Sequence, residues 1–203
     1  MNQSHISNSA TQDRGRGLSF FCDRILAGLG IMALAPLMGG IAVLVKLTSK
    51  GPVFYWSERI GIENKRFLMP KFRTMKIGTP ALATHLLEAP ETRMTPVGSF
   101  LRRMSLDELP QLFTILKGDL AVIGPRPALF NQDDLISLRT QMGIHTIRPG
   151  LTGWAQVNGR DDLPISQKVK FEKYYMEHRC LRLDLKIILM TIFKVLSADG
   201  VRH

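Results

Sequence analysis

Apolar and polar residues are unevenly distributed along this chain. Residues 1–17 are polar and rich in Ser, Asn and Gln, which predicts a flexible tail. From Ile25 to Val45 the sequence ILAGLGIMALAPLMGGIAVLV holds 21 residues without a charge. At about 1.5 Å per residue, a straight helix of that length roughly matches a 30 Å hydrocarbon core. The run is too long for the apolar region of a cleaved signal, and no clear cleavage site follows it. Pro36 lies near its centre. It has no backbone donor, and its ring clashes with the carbonyl of Met32. Gly39 and Gly40 loosen the next turn. A kinked single span and a re-entrant hairpin both fit. Basic residues flank both ends: Arg14, Arg16 and Arg24 before, Lys46 and Lys50 after. A simple span biases Lys and Arg to one side, whereas a hairpin with both ends at the cytoplasmic face shows positive charge at each.

The middle of the chain reads as a mixed soluble region. Pro52–Trp56 predicts a short strand after the turn at Ser49–Gly51. Phe67–Met75 predicts a second strand, and Pro70 inside it predicts an edge position. Residues 79–96 carry three prolines and read as an irregular excursion. Helices are predicted at Val97–Met104, Ser105–Lys117, Ala128–Met142 and Ser166–His178, with a glycine-punctuated loop at 150–159. Near the C-terminus, Leu181, Leu185, Ile188, Leu189, Ile192, Val195 and Leu196 share about a third of a helical circumference. Arg182, Asp184, Lys186, Thr191 and Lys194 lie opposite. An interfacial helix in the headgroup layer and an ordinary helix packed on the core fit this pattern equally.

A length of 203 residues suits one domain with a real core. With 45% hydrophobic and 22% charged residues, the chain is neither disordered nor polytopic. Its net charge of +10 calls for a polyanionic neighbour: nucleic acid, an anionic membrane or a phosphorylated substrate. Aromatic residues make up only 7%, too few for a basic stripe with interleaved stacking rings, so nucleic acid is set aside. Cys22 and Cys180 stand in no metal-ligand spacing and form no disulfide framework, which suits a reducing compartment.

The chemistry concentrates around Ser105-Leu106-Asp107-Glu108-Leu109-Pro110-Gln111-Leu112. Ser105 with Glu108 three residues on could be no more than a capping box, with the acids favoured by the helix dipole. Adjacent carboxylates on a helix also project about 100° apart, so one can hold a metal while the other faces a substrate. A carboxylate can act as a nucleophile, and Mg²⁺ favours one or two carboxylates plus substrate phosphates. Cations abound nearby in sequence: Lys71 and Arg73, Arg102 and Arg103, Arg126, and Arg148. For any one of them a solvated charged face is the ordinary explanation. Arg126 is exempt, since prolines on both sides stiffen its backbone, which would be wasted on a free surface arginine. Arginine matches phosphate geometry bidentately. There is no G-x-x-x-x-G-K-[ST], G-x-G-x-x-G or G-x-S-x-G segment and no zinc-ligand spacing. His85, His145 and His178 stand isolated and read as structural or surface residues.

Several segments in order resemble one known family: KFRTM at 71–75, LRRMSLDELPQL at 101–112, KGDLAVIGPRP at 117–127, RPGLTGWAQVNGR at 148–160 and LDLKI at 183–187. With the apolar segment they cover nearly everything after Leu18. The chain resembles the bacterial sugar transferases, in the small form of the monotopic phosphoglycosyl transferases. The resemblance implies a mostly helical α/β fold: a single compact domain with an N-terminal re-entrant membrane helix at 18–50. Residues 51–203 would form a cytosolic catalytic domain with interfacial amphipathic helices. It also implies a catalytic dyad of Asp107 and Glu108. Asp107 would attack the β-phosphate of a UDP-sugar and carry the phosphosugar, and undecaprenyl phosphate would accept it. Glu108 would hold Mg²⁺. Arg126 would contact the nucleotide, and Lys71, Arg73 and Arg102 are the further substrate-binding candidates. The implied location is the bacterial inner membrane, the donor an N-acetylated UDP-sugar ahead of a plain hexose, and a homodimer a reasonable assembly.

Departures from the commoner family pattern are few. Ala35 precedes Pro36 where Ser is frequent, and Thr74 replaces a frequent Ser. Glu172 stands where Asp is expected and is retained as a substrate-binding candidate, and His178-Arg179 differs from the usual sequence. The competing reading is a catalytically silent membrane-associated protein that binds nucleotide-sugars or organises an assembly complex. Retention of both acids and of Arg126 argues against it.

Overall fold

A computed structural model describes residues 20–80, 90–159 and 163–196. The expected tail at 1–17, His85, Arg160 and the side chains of Val195 and Leu196 lie outside the described parts. The chain forms one mostly helical α/β domain with a single long apolar helix at its N-terminal side.

That helix, α1, spans Phe20–Thr48, about 43 Å if straight. Leu and Ala, both good helix formers, make up about a third of it. Pro36 lies inside the one element rather than between two. Asp23, Ala27, Met38, Ile41 and Val45 are buried, while Ile25, Leu29, Met32, Leu37, Val43 and Leu47 are exposed. Both halves rest on the same domain. On the N-terminal side Ala27 packs with Ile115 and Leu120, Asp23 accepts from the Val122 amide (3.4 Å), and Arg24 donates to the Lys117 carbonyl (3.1 Å). Near the other end Met38, Ile41 and Val45 pack with Phe72 and Leu101.

Strands β1 (Phe54–Ile60) and β2 (Arg66–Phe72) form an antiparallel hairpin with Tyr55 opposite Lys71 and Trp56 opposite Pro70. In a two-stranded ribbon every strand is an edge, so Pro70 removes no needed ladder bond, as its position predicted. The tight turn between them holds Glu63 and Asn64 at positive φ. Next come α2 (Gly98–Arg103), a 3₁₀ turn at Leu106–Glu108 and α3 (Gln111–Lys117). The single helix predicted for 105–117 is thus divided. Ser105 adopts left-handed geometry (φ 55°), and Pro110 stands just ahead of α3.

Strand β3 (Ala121–Ile123) pairs in parallel with β4 (Gly150–Thr152), and α4 (Asp133–Gln141) lies between them in sequence. Helices α5 (Trp154–Asn158), α6 (Ile165–His178) and α7 (Leu181–Leu196) complete the chain. Residues 150–159, read from sequence as loop, therefore contain a strand and a short helix. The predicted helix at 128–142 begins only at Asp133.

Helix α7 turns most of its apolar stripe outward. Leu181, Leu185, Leu189, Ile192 and Phe193 are exposed. The side facing the domain carries Ile187 and Asp184, both buried, and Thr191, whose hydroxyl lies 2.7 Å from that of Thr152. Asp184 accepts from the Tyr175 hydroxyl at 2.9 Å, tying α7 to α6. Burial, then the charge and hydrogen bond of Asp184, raise the pKa of that phenol. Of the described stripe residues only Ile188 packs on the core, while Leu181, Leu185, Leu189 and Ile192 face outward.

Candidate active site

Four segments converge on one cluster. Strand β2 supplies Lys71, α2 supplies Arg102 from its last turn, the 3₁₀ turn supplies Asp107 and Glu108, and the loop after β3 supplies Arg126. A close approach makes the convergence possible. A Cβ on Gly98, at the start of α2, would run into the carbonyl of Thr74. With glycine there, α2 lies against the end of the hairpin, and Arg102 Nε donates to Thr74 Oγ1 at 2.9 Å. The left-handed turn at Ser105 then brings the two acids round toward β2. A non-glycine residue in that region costs roughly 1–2 kcal/mol and tends to mark functional sites.

The capping-box explanation of Ser105 and Glu108 does not hold. Ser105 precedes the turn but makes no side-chain cap. Instead the Glu108 carboxylate accepts from Lys71 Nζ (2.8 Å) and from Arg126 Nη2 (2.6 Å) on Oε1, and from Arg126 Nη1 (3.4 Å) on Oε2. Side-chain exposure is 14% for Lys71, 18% for Glu108 and 31% for Arg126, low enough that solvent screens these charges only in part.

The two acids differ in state. Burial pushes Glu108 upward, but the charges of Arg126 and Lys71 and their hydrogen bonds outweigh it. Its carboxyl is held well below the ordinary carboxylate range. Asp107 is 6% exposed, and burial dominates there. Helped by the negative charge of Glu108 and opposed by Lys71, Arg102 and Arg126, it raises the Asp107 pKa from the ordinary 3.8 to about 6. At neutral pH both are mainly ionised, yet Asp107 is the more basic and less stabilised anion. Burial likewise lowers the pKa of Lys71 and of Arg102 against the pull of the two acids. Three cations thus face two carboxylates, leaving a surplus of positive charge for an anionic ligand.

Of the predicted residues, the structure brings together Lys71, Arg102, Asp107, Glu108 and Arg126. It places two elsewhere. Arg73 is buried at the C-terminal end of α1, where it donates to the carbonyls of Ser49 and Lys50 and to Ser49 Oγ. It lies one residue beyond the end of β2, and these bonds to Ser49 and Lys50 hold it away from the acids. Glu172, 2% exposed, forms a two-pronged pair with Arg139, one arm being Nε to Oε2 at 2.8 Å. Arg148 lies over the Phe20 ring at the start of α1. Sequence reasoning overlooked Arg139 and Arg59, which donate to the carbonyls of Arg126 (2.9 Å) and Pro127 (3.1 Å). One signal was available: Arg139 falls four residues after Leu135, a charge on the buried stripe of α4.

Among the described residues no three His, Cys, Asp or Glu side chains gather as a metal site. The pair nevertheless fits a hard divalent cation that takes most of its ligands from phosphate and water. Glu108 Oε2 carries only the long contact to Arg126, which leaves lone-pair capacity on an ionised carboxylate.

A buried carboxylate of raised pKa stands beside an ionised one, ringed by cations, on a domain that carries a long, largely exposed apolar helix. The bacterial sugar transferase profile matches residues 15–198, and the chain belongs to that family. It is 42% identical over 184 residues to a UDP-glucose:undecaprenyl-phosphate glucose-1-phosphate transferase of Xanthomonas campestris pv. campestris, covering 86% of this chain and 38% of that one. It is 39% identical over 160 residues to the sugar transferase EpsL of Bacillus subtilis, covering 79% and 78%. A UDP-N-acetylgalactosamine-undecaprenyl-phosphate N-acetylgalactosaminephosphotransferase of Aeromonas hydrophila is 37% identical over 188 residues, covering 89% and 44%. The chain thus spans less than half the length of the first and third of these relatives.

Proposed function

We propose that this protein transfers a sugar 1-phosphate from a UDP-sugar to undecaprenyl phosphate and releases UMP. The observation that carries the proposal is the division between the adjacent acids. Glu108 takes the hydrogen bonds of Lys71 and Arg126, and Asp107 remains a buried, more basic oxygen nucleophile at the same cluster. An Asp107 oxygen forms a bond to the β-phosphorus of the donor. The bond from that phosphorus to the oxygen bridging the two phosphates breaks, and UMP departs with the electron pair. A phosphate oxygen of the polyprenyl acceptor then attacks the same phosphorus. Asp107 is freed, and the polyprenyl diphosphosugar leaves.

Lys71, Arg102 and Arg126 bind and orient the diphosphate, and their charge offsets what accumulates on the leaving phosphate. Glu108, with the donor phosphates, is the residue that would hold Mg²⁺, which when bound neutralises the diphosphate. As donor we propose an N-acetylated UDP-sugar, with UDP-glucose tested beside it because the relatives carry both kinds of name.

We further propose that α1 is re-entrant and that the site lies on the cytosolic face of the bacterial inner membrane. A helix crossing the bilayer would carry its N-terminal half to the far side. Here Asp23, Arg24 and Ala27 rest on the same domain as Ile41 and Val45. The outward stripe of α7 supports a seat in the headgroup layer. The test is UMP release by detergent-solubilised protein with Mg²⁺, undecaprenyl phosphate and a panel of UDP-sugars. Release from one donor, lost with EDTA and in Asp107→Asn, is the expected result. Equal release by Asp107→Asn would remove the nucleophile from the account.

A further inference from the structure

Pro125-Arg126-Pro127 poses a mechanical problem. Neither proline has a backbone N–H, so of these three residues only Arg126 has a main-chain donor. The segment's three carbonyls each have a separate donor. The Gly150 amide donates to Pro125 O (2.9 Å), Arg139 Nη2 to Arg126 O (2.9 Å) and Arg59 Nη1 to Pro127 O (3.1 Å). The Ile60 amide continues the series to Ala128 O (3.0 Å). Gly124 makes the crossing over β4 feasible, since a Cβ there would strike the Arg148 carbonyl.

Arg139 is the donor that needs explaining. It comes from α4, it is 8% exposed, and its guanidinium is oriented by Glu172 of α6, which is 2% exposed. The pair is two-pronged, so Glu172 sets the plane of the fork as well as the position of its charge. The N–H left over on Nη2 then points at Arg126 O. A buried ion pair is poor evidence of stabilisation, because well-packed apolar residues often do as well. It does supply a rigid, directed donor in a place where the backbone offers none.

We infer that Arg139, held in plane by Glu172, is a positioning residue for the nucleotide-sugar. It fixes the main chain at Arg126 so that the guanidinium of Arg126 stands at Glu108 and the donor diphosphate. Neither member of the pair touches the substrate. Glu172 thereby acts two contacts away from the ligand. This inference rests on the proposed reaction, in which Arg126 binds the donor.

UMP affinity of the detergent-solubilised full chain, measured by titration calorimetry, tests it, with donor and acceptor KM measured alongside. Arg139→Lys keeps the charge and loses the fork. It is expected to weaken UMP binding and raise donor KM by roughly tenfold, the scale of one well-aligned charged hydrogen bond, with acceptor KM within about twofold of wild type. Arg126→Ala should show a loss at least as large. The double variant Arg139→Lys/Arg126→Ala should bind UMP no more weakly than Arg126→Ala alone. Glu172→Gln should follow Arg139→Lys, while Glu172→Asp, which keeps the carboxylate, recovers part of the loss. A merely structural pair would lower melting temperature and kcat without singling out the donor, and its losses would add to those of Arg126→Ala. Additive losses, or equal effects on donor and acceptor KM, overturn the inference while leaving the reaction standing. A folded wild type that neither binds UMP nor turns over any UDP-sugar overturns the proposed reaction and this role together.

Discussion

Neutralising the two adjacent acids should change stability in opposite directions. Asp107 has its pKa raised from 3.8 to about 6 in the folded protein, chiefly by burial. For a group raised in this way, the folded state is favoured below the lower value, and that stability is lost as pH rises through the upper one. At about 1.4 kcal/mol per pH unit, ionised Asp107 costs the fold on the order of 2 to 3 kcal/mol at pH 7.5. Asp107→Asn removes the charge and keeps the shape. It should therefore be more stable than wild type at pH 7.5 while losing turnover, and in a chain of this size the gain corresponds to a melting temperature higher by roughly 4–10 °C. The gain should shrink as pH falls through 6, because wild-type Asp107 then protonates. Glu108→Gln should behave oppositely. Glu108 is held ionised by Arg126 and Lys71, and its stabilisation is present at neutral pH and lost only in strong acid. Removing its charge takes the carboxylate from two partly buried cations and should cost on the order of 2 to 3 kcal/mol. The assay is thermal unfolding of both variants and wild type in one detergent at one scan rate, between pH 5 and 8. An Asp107→Asn variant no more stable than wild type at pH 7.5, or a gain that does not vary with pH, would refute the reasoning.

Arg73→Ala should remove the bonds to the Ser49 and Lys50 carbonyls at the end of α1 and lower stability by roughly 1–3 kcal/mol. Donor KM should stay unchanged in the protein that folds, and a selective rise in donor KM would place Arg73 at the substrate after all. At Ser105 (φ 55°), replacement by Val should cost about 1–2 kcal/mol in chemical denaturation and replacement by Gly nothing. Equal effects would mean that the left-handed turn is unstrained. Gly124→Ala drives a Cβ into the Arg148 carbonyl and should displace Arg126, cutting donor kcat/KM by more than about tenfold. Wild-type kinetics from a fully folded Gly124→Ala variant would contradict that.

The apolar run at 25–45, the edge strand carrying Pro70 and the helices at 165–178 and 181–196 were legible because each has a strong local signal: length, a missing donor or a 3.6-residue period. Strands β3 and β4 were not, since three residues each carry no usable period and their pairing spans the whole of α4. Asp107, Glu108, Lys71, Arg102 and Arg126 were readable as a group because residues of one chemistry recur in motifs of fixed order. Their separation from Arg73 was not readable from composition. Residues two apart in a strand share a face, but β2 ends at Phe72 and Arg73 is taken up by Ser49 and Lys50 at the end of α1. Glu172 was retained as a substrate-binding candidate because it stands where the family pattern has Asp. Only the packing of α6 on α4 shows it meeting Arg139 first.

The most direct test of the central claim is a donor-only reaction. Wild-type protein is mixed with Mg²⁺ and its UDP-sugar without undecaprenyl phosphate, then quenched and examined by intact-mass and peptide mass spectrometry. The account predicts a burst of UMP limited to about one per protein and a phosphosugar adduct on the peptide containing Asp107. Adding undecaprenyl phosphate should chase the adduct, and Asp107→Asn should show neither burst nor adduct. UMP release that requires the acceptor from the start, with no mass added to Asp107, would contradict it and point to direct transfer between the two substrates.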